Sequence, residues 1–137
     1  MAKEVLNNAY VMINTVDLSD HVRSVTLPLS TAEIDDSCMG SDCTSVLAGR
    51  KGATLDVSWA QDFASAKVDA TLYALYDAGV VTAIKVRRDA GAIGATNPEY
   101  QFNGLMTGYT PISGAVGALH EVPSTFVSDG TITRATS

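Results

Sequence analysis

The sequence predicts a mainly β fold: a β-sandwich or partly open barrel of about seven or eight strands with one packed α-helix. Three observations predict it. Short runs of alternating apolar and polar residues recur along the chain and are broken by Gly, Pro and Ser. One segment, 62–79, carries apolar residues at helical spacing instead. The 137 residues show no internal repeat, which fits a single domain over 1–137 with one modest core.

Residues 9–13 form a short β-favouring run, and Asn14, Thr15, Val16 and Asp17 follow as a turn. Leu18, Ser19, Asp20 and His21 lead into 22–27, where Val25 and Leu27 face one way and Ser24 and Thr26 the other. That alternation marks a half-buried strand. Asp17 and Asp20 read as turn or cap residues whose carboxylates bond nearby backbone N–H groups. Pro28 interrupts, so 29–34 either continues past a bend or begins a new strand. The stretch 35–52, DDSCMGSDCTSVLAGRKG, has no hydrophobic period and ends on the basic pair Arg50-Lys51. A structureless connection of that length is unusual in a compact domain and is functional or disordered where it occurs.

Alternation returns at 53–61, with Leu55, Val57 and Trp59 on one face and Thr54, Asp56 and Ser58 on the other. Trp59 reads as a core anchor. In the helix, Asp62 or Ser65 supplies the cap, Val68, Leu72, Leu75 and Tyr76 the buried stripe, and Gly79 the stop. Tyr73 falls off the stripe, toward a neighbouring subunit. Residues 80–88 are the next strand. Lys85 and Arg87 share a face there and, with Arg88, make the densest positive patch. The strands 100–109, 118–127 and 131–134 complete the set. Ser128-Asp129-Gly130 reads as a hairpin turn, and Pro123 marks an edge position or a bulge.

The chemistry is mostly one of exclusions. A net charge of −6 argues against a protein that grips nucleic acid by neutralising phosphates. It is compatible with a wall that DNA passes without sticking, since an acidic surface repels phosphate. Only 18% of residues are charged, which leaves a neutral polar surface of the kind that meets other proteins. The motif CMGSDC holds both cysteines, Cys38 and Cys43, but it is not C-x-x-C, and only His21 and His120 could join them as zinc ligands. A local disulfide is geometrically possible in so Gly- and Ser-rich a loop, while reduced thiols suit a bacterial cytoplasm. Gly91 and Gly94 lack the Gly-Lys-Ser/Thr of a phosphate loop, and no hydrolase or metalloprotease motif occurs. His21 follows Asp20 and His120 precedes Glu121; adjacent strand residues point to opposite faces, so both histidines read as surface or interface residues. The sequence therefore nominates no catalytic, cofactor-binding or metal-binding residue. Met1-Ala2-Lys3-Glu4 leads into no sustained apolar run, and nothing approaches the ~20 apolar residues of a membrane span. A protein made and assembled in the cytosol is expected.

Five segments carry a resemblance. The opening INTVDLSDHVRSVTL is similar to an I-N-G-V-D-L-S-D-x-V-x-S-V-x-L pattern, with Thr15 in place of Gly. DATLYAL at 69–75, NPEY at 97–100 and YTPISGAVGAL at 109–119 follow, and GTITRA at 130–135 closes the series as G-x-[IV]-T-R-A. Together they resemble major tail tube proteins of long-tailed bacteriophages, particularly those of actinobacteria. The motifs are most specific in the N-terminal opening and the C-terminal third, with DATLYAL between them, and leave the 37–52 loop uncovered.

The resemblance implies a structural virion protein that stacks as six-subunit rings into the tail tube, the conduit for DNA ejection. A homo-oligomer is implied, with tape-measure, tail terminator and baseplate proteins as partners and the virion tail as location. It also implies that a long loop between two hairpin strands docks on the neighbouring ring. That assigns ring stacking to Ser37, Cys38, Met39, Asp42, Cys43, Leu47, Arg50 and Lys51. Glu33, Asp56 and Glu121 are candidates for an acidic lumen, and Lys85 and Arg87 for inter-subunit ion pairs. The alternative is a virion decoration or adhesion module that binds capsid or receptor.

Overall fold

The computed structural model of the protein describes residues 5–40 and 42–137. The expectation drawn from Met1-Ala2-Lys3-Glu4 lies outside the described residues. Alternation gives the strands one dry and one wet face, and a right-handed twist curls the sheet they form. The elements are β1 (Tyr10–Ile13), β2 (Val16–Asp17), a 3₁₀ turn (Ser19–His21), β3 (Val22–Thr26), β4 (Leu29–Asp35), β5 (Val46–Ala60), α1 (Val68–Ala78), β6 (Thr82–Arg87), β7 (Glu99–Tyr109), β8 (Glu121–Ser128) and β9 (Thr133–Ala135). The sheet runs β2-β1-β6-β7-β8-β5-β3, with β4 added beside β5 and β9 beside β7. Its named pairs are antiparallel. The mainly β class with one helix is as the sequence predicts.

The dry face holds Leu55, Val57 and Trp59 of β5, Val122 and Phe126 of β8, Phe102 and Met106 of β7, and Ile84 of β6. Helix α1 closes it with Val68, Leu72 and Leu75. Trp59 is fully buried, and its Nε1 donates to Ser124 Oγ at 2.7 Å, which satisfies both polar groups in the core. Gly79 ends the helix at φ 64°, the left-handed conformation that favours glycine.

Several details depart from the expectations. Tyr76 is exposed, because it lies about 80° round the helix from Val68, at the rim of the buried stripe. Neither Asp62 nor Ser65 caps α1; its N-cap is Lys67, with no side-chain cap bond. The Asp62 carboxylate accepts from the Ala64 N–H instead. Ser128-Asp129-Gly130 is not a hairpin turn, because β8 and β9 both pair with the same side of the long β7. The chain kinks there, at Gly130 φ 95°, and the Asp129 N–H bonds Asn103 O at 2.7 Å. Pro28 plays the same part between β3 and β4, which lie in line along β5. Pro123 sits inside the sheet rather than at an edge strand. Its O accepts from the Thr110 N–H just beyond the end of β7, so its missing donor falls where that ladder stops. Finally, 46–52 is strand rather than loop, since β5 starts at Val46.

Candidate assembly surface

Strand β5 is 15 residues long, and only its second half is roofed by β8, which pairs with 54–60. The first half pairs with β4 alone and leaves the body as a two-stranded arm of roughly 25 Å. An isolated ribbon of two strands is marginal in water. Every residue of β4 is exposed, and Leu29, Ile34, Val46 and Leu47 each keep about half their surface in solvent. The side of β5 that β8 leaves open also presents unpaired backbone groups, the usual template for another chain.

A register shift between Thr31 and Glu33 bends the arm. Gly49 fits there because a Cβ would stand 3.0 Å from both the Cβ and the O of Ala32. The tip is tied by serines: the Ser45 N–H donates to Ser37 Oγ at 2.7 Å, and the Ser37 N–H donates to Asp35 Oδ1 at 2.9 Å. The Ser37 backbone N–H, followed by the Ser37 hydroxyl, holds the Asp35 carboxyl below its ordinary value. Of the expected loop residues, Ser37, Cys38, Met39, Asp42 and Cys43 lie on this tip, while Leu47, Arg50 and Lys51 lie on the β5 side of the arm. Met39 is fully exposed. No disulfide joins Cys38 to Cys43.

The wet face of the body is lined by neutral polar groups into which two carboxylates are bonded. Asp56 Oδ1 accepts from Thr125 Oγ1 at 3.0 Å, and Glu121 Oε1 accepts from Ser58 Oγ at 2.7 Å. Arg23 Nε stands 3.6 Å from the other Glu121 oxygen. Asp56 and Glu121 therefore share the outer face of β5 and β8. Glu33 is apart from them, on the arm opposite Ala48. Lys85 is half-buried on β6. Its neighbour Arg87 is engaged within the chain: Nε lies 3.1 Å from Glu99 Oε2, Nη1 donates to Gly91 O, and the guanidinium stacks 3.9 Å over the Tyr10 ring. The Nε contact is off the hydrogen-bond line, so it is ionic rather than a bond.

At the pole opposite the arm, the loop 110–120 exposes Ile112, Val116 and Leu119, with Phe63 beside it against the His120 ring. His120 Nε2 accepts from the Ser113 N–H. His21 does not follow the strand argument made for it. The 3₁₀ backbone brings Asp20 Oδ1 to 2.8 Å from its Nδ1, and Asp62 Oδ2 stands 2.9 Å from its Nε2. The trio clamps the start of β3 to the helix entry, and the Ala64 N–H followed by His21 holds the Asp62 carboxyl below its ordinary value. Nearby, Tyr109 accepts from Gln61 Nε2 and donates to Asp69 Oδ1, and burial pushes its phenol up to about 12. These groups fasten elements together. No cluster of three or more His, Cys, Asp or Glu among the described residues could hold a metal ion.

The sequence left Leu29 and Ile34 outside the expected 37–52 contact loop, although with Val46 they extend the apolar strip of the arm. Their signal is the lack of alternation itself: aliphatic residues stand on a ribbon with no buried side. Tyr73, which the sequence pointed toward a neighbouring subunit, is exposed, and exposed Tyr76 joins it with ring centroids 6.1 Å apart to form a second surface patch.

No protein-family model matches the chain, and no curated protein matches it. Solved structures do. A chain of the virion of a native gene transfer agent particle aligns with TM-score 0.78 at 13% identity, covering 97% of this chain and 99% of that one. A chain of the tail of an empty gene transfer agent particle, a tail with C6 symmetry, gives 0.69 at 14% identity over 84% and 82%. A chain of the sheath–tube complex of the extracellular contractile injection system PVC, in its extended state, gives 0.71 at 11% identity over 98% and 93%. The chain has a tail tube-like fold.

Proposed function

We propose that this chain is a structural subunit of a phage-like tail tube, stacking as rings around a channel that DNA passes without specific binding. The arm carries the reading. A half-exposed apolar ribbon that stands clear of its own core is stabilised when another copy covers it, and the fold likeness supports a tube as the result. Ring-to-ring contact runs through Ser37, Cys38, Met39, Asp42, Cys43, Leu47, Arg50 and Lys51 onto the opposite pole of the next copy. The two poles differ, so the contact is heterologous and propagates. Six copies per ring accord with the C6 symmetry of the gene transfer agent tail in which a similar chain occurs.

Asp56 and Glu121 line the lumen in this reading, and Glu33 sits where the arm crosses between rings. Lys85 meets an acidic group of the adjacent copy, while Arg87, held by Glu99 and Gly91, stiffens the face beside it. The subunit assembles in the host cytoplasm into the virion tail, around a tape-measure protein and between terminator and baseplate proteins. Negative-stain electron microscopy of the concentrated protein tests the reading. Open-ended hollow tubes are expected. Discrete closed oligomers with no lumen would replace it with the decoration or adhesion module.

A further inference from the structure

Between the base of the arm and the C-terminal strand lies a cleft of about 530 Å³. Its walls are apolar, from Leu29, Tyr100 and Ile132, and its rim carries two exposed cations, Lys51 and Arg134. Arg134 Nε contacts Tyr100 Oη at 3.4 Å, and Lys51 has no ion-pair partner among the described residues. The volume is in the range, roughly 300–1,000 Å³, of pockets that take a group the size of a small ligand.

A complementary surface exists elsewhere on the same chain. The outer side of α1 exposes Tyr73 and Tyr76, and the last helical turn contains Asp77 and no basic residue. Carbonyl groups already make a helix C-terminus negative, so an acid there is unfavourable until a cation meets it. Tyrosines at such a site supply large contact area at low entropic cost.

The two surfaces cannot meet within one copy. Helix α1 is fastened by Asp69 to Tyr109, at the end of β7 away from Tyr100, and none of Tyr73, Tyr76 and Asp77 lines the cleft of its own copy. We infer that the Tyr73–Tyr76–Asp77 face of one copy docks in the Lys51–Arg134 cleft of a second copy. The inference rests on the tube reading, names the side-by-side contact within a ring, and gives Lys51, which lines the cleft at the base of the arm, to that contact in place of the ring-to-ring one. The tyrosine rings fill the apolar walls, and Lys51 and Arg134 meet Asp77 and the helix C-terminal carbonyls. Because the two faces differ, the contact repeats head to tail until the ring closes.

Charge reversal with rescue tests it on the full chain. Asp77→Lys alone, and Lys51→Glu with Arg134→Glu, should each raise the concentration needed for assembly at least about 10-fold, as expected for interfacial charge pairs. The three substitutions together should bring it back to within about threefold of the unaltered protein. Circular-dichroism melts of each variant at low concentration exclude unfolding as the cause, and Tyr76→Ser repeats the weakening without a charge change. Assembly of either reversed variant at the unaltered concentration overturns the contact. So does weakening by both sets without rescue, which would mean that the cleft takes a different partner. If the variants form tubes like the unaltered protein, this contact alone falls. If the unaltered protein forms none, the tube reading falls with it.

Discussion

Replacing Met39 and Leu47 with serine should disable assembly while leaving the subunit folded. Met39 is wholly in solvent and Leu47 is 54% exposed, so neither supports the core. Full burial of such a side chain contributes about 1.5–3 kcal/mol. Covering all of Met39 and the remaining half of Leu47 therefore contributes about 3 kcal/mol to a ring-to-ring contact. Interfaces return less than their area promises, because side chains must be ordered. A loss of about 1.5–3 kcal/mol corresponds to a 10- to 100-fold rise in the concentration at which tubes appear. The thermal midpoint of the isolated subunit should move by less than about 2 °C, as for other surface substitutions. Sedimentation of polymer across a dilution series reads the first quantity, and circular dichroism reads the second. Polymer forming within threefold of the unaltered concentration would refute the assignment of the arm. So would a large fall in the midpoint, which would make the arm part of the fold rather than of the assembly.

Four further outcomes follow from the core and the fastenings. Trp59→Phe leaves Ser124 Oγ without its indole donor in a dry site and should cost about 1–3 kcal/mol in urea denaturation; a change under about 0.5 kcal/mol would show the bond to be idle. Gly104→Ala puts a Cβ 2.7 Å from Ile84 Cδ1 and 3.3 Å from Phe102 Cε2 against buried neighbours, so a loss of about 1–3 kcal/mol is expected, and an unchanged midpoint would mean that β6 and β7 yield there. The pH limits have opposite signs. Asp62 is depressed in the fold, so its contribution is present above the unfolded value of 3.8 and is lost as pH falls through the lower folded value; Asp62→Asn should flatten the acid limb. Tyr109 is raised from 10.0 to about 12, so the fold keeps a proton that the unfolded chain releases. Stability should fall as pH climbs from 10 toward 12, and Tyr109→Phe should remove that slope; an unchanged slope would contradict it.

The body was legible because its strands have one buried side. Leu55, Val57 and Trp59 announce β5, and Val68, Leu72 and Leu75 announce the helix, since burial imposes a period on the sequence. Of the arm, 29–34 was legible as strand and 46–52 was not, because both faces there are wet and no period is imposed. The in-line joins at Pro28 and at Ser128-Asp129-Gly130 share one cause. A turn signal reports that the chain bends, but whether the next strand folds back or continues depends on the length of the partner, here β5 and β7. Clustering of His21 between Asp20 and Asp62 was hidden because a 3₁₀ turn replaced the strand in which neighbours diverge. Arg87 looked available for a neighbouring subunit because its partner, Glu99, comes from the adjacent strand and no sequence pattern reveals that pairing. The CMGSDC tip carries no motif of the resemblance, so its role rests on its place at the end of the arm.

The most direct measurement of the central claim is a cryo-electron microscopy reconstruction of the polymer grown from the purified chain. The account predicts an open-ended tube in which each arm crosses to the next ring and Asp56 and Glu121 face the channel. A closed assembly of a few copies, with residues 37–52 projecting into solvent, would contradict it.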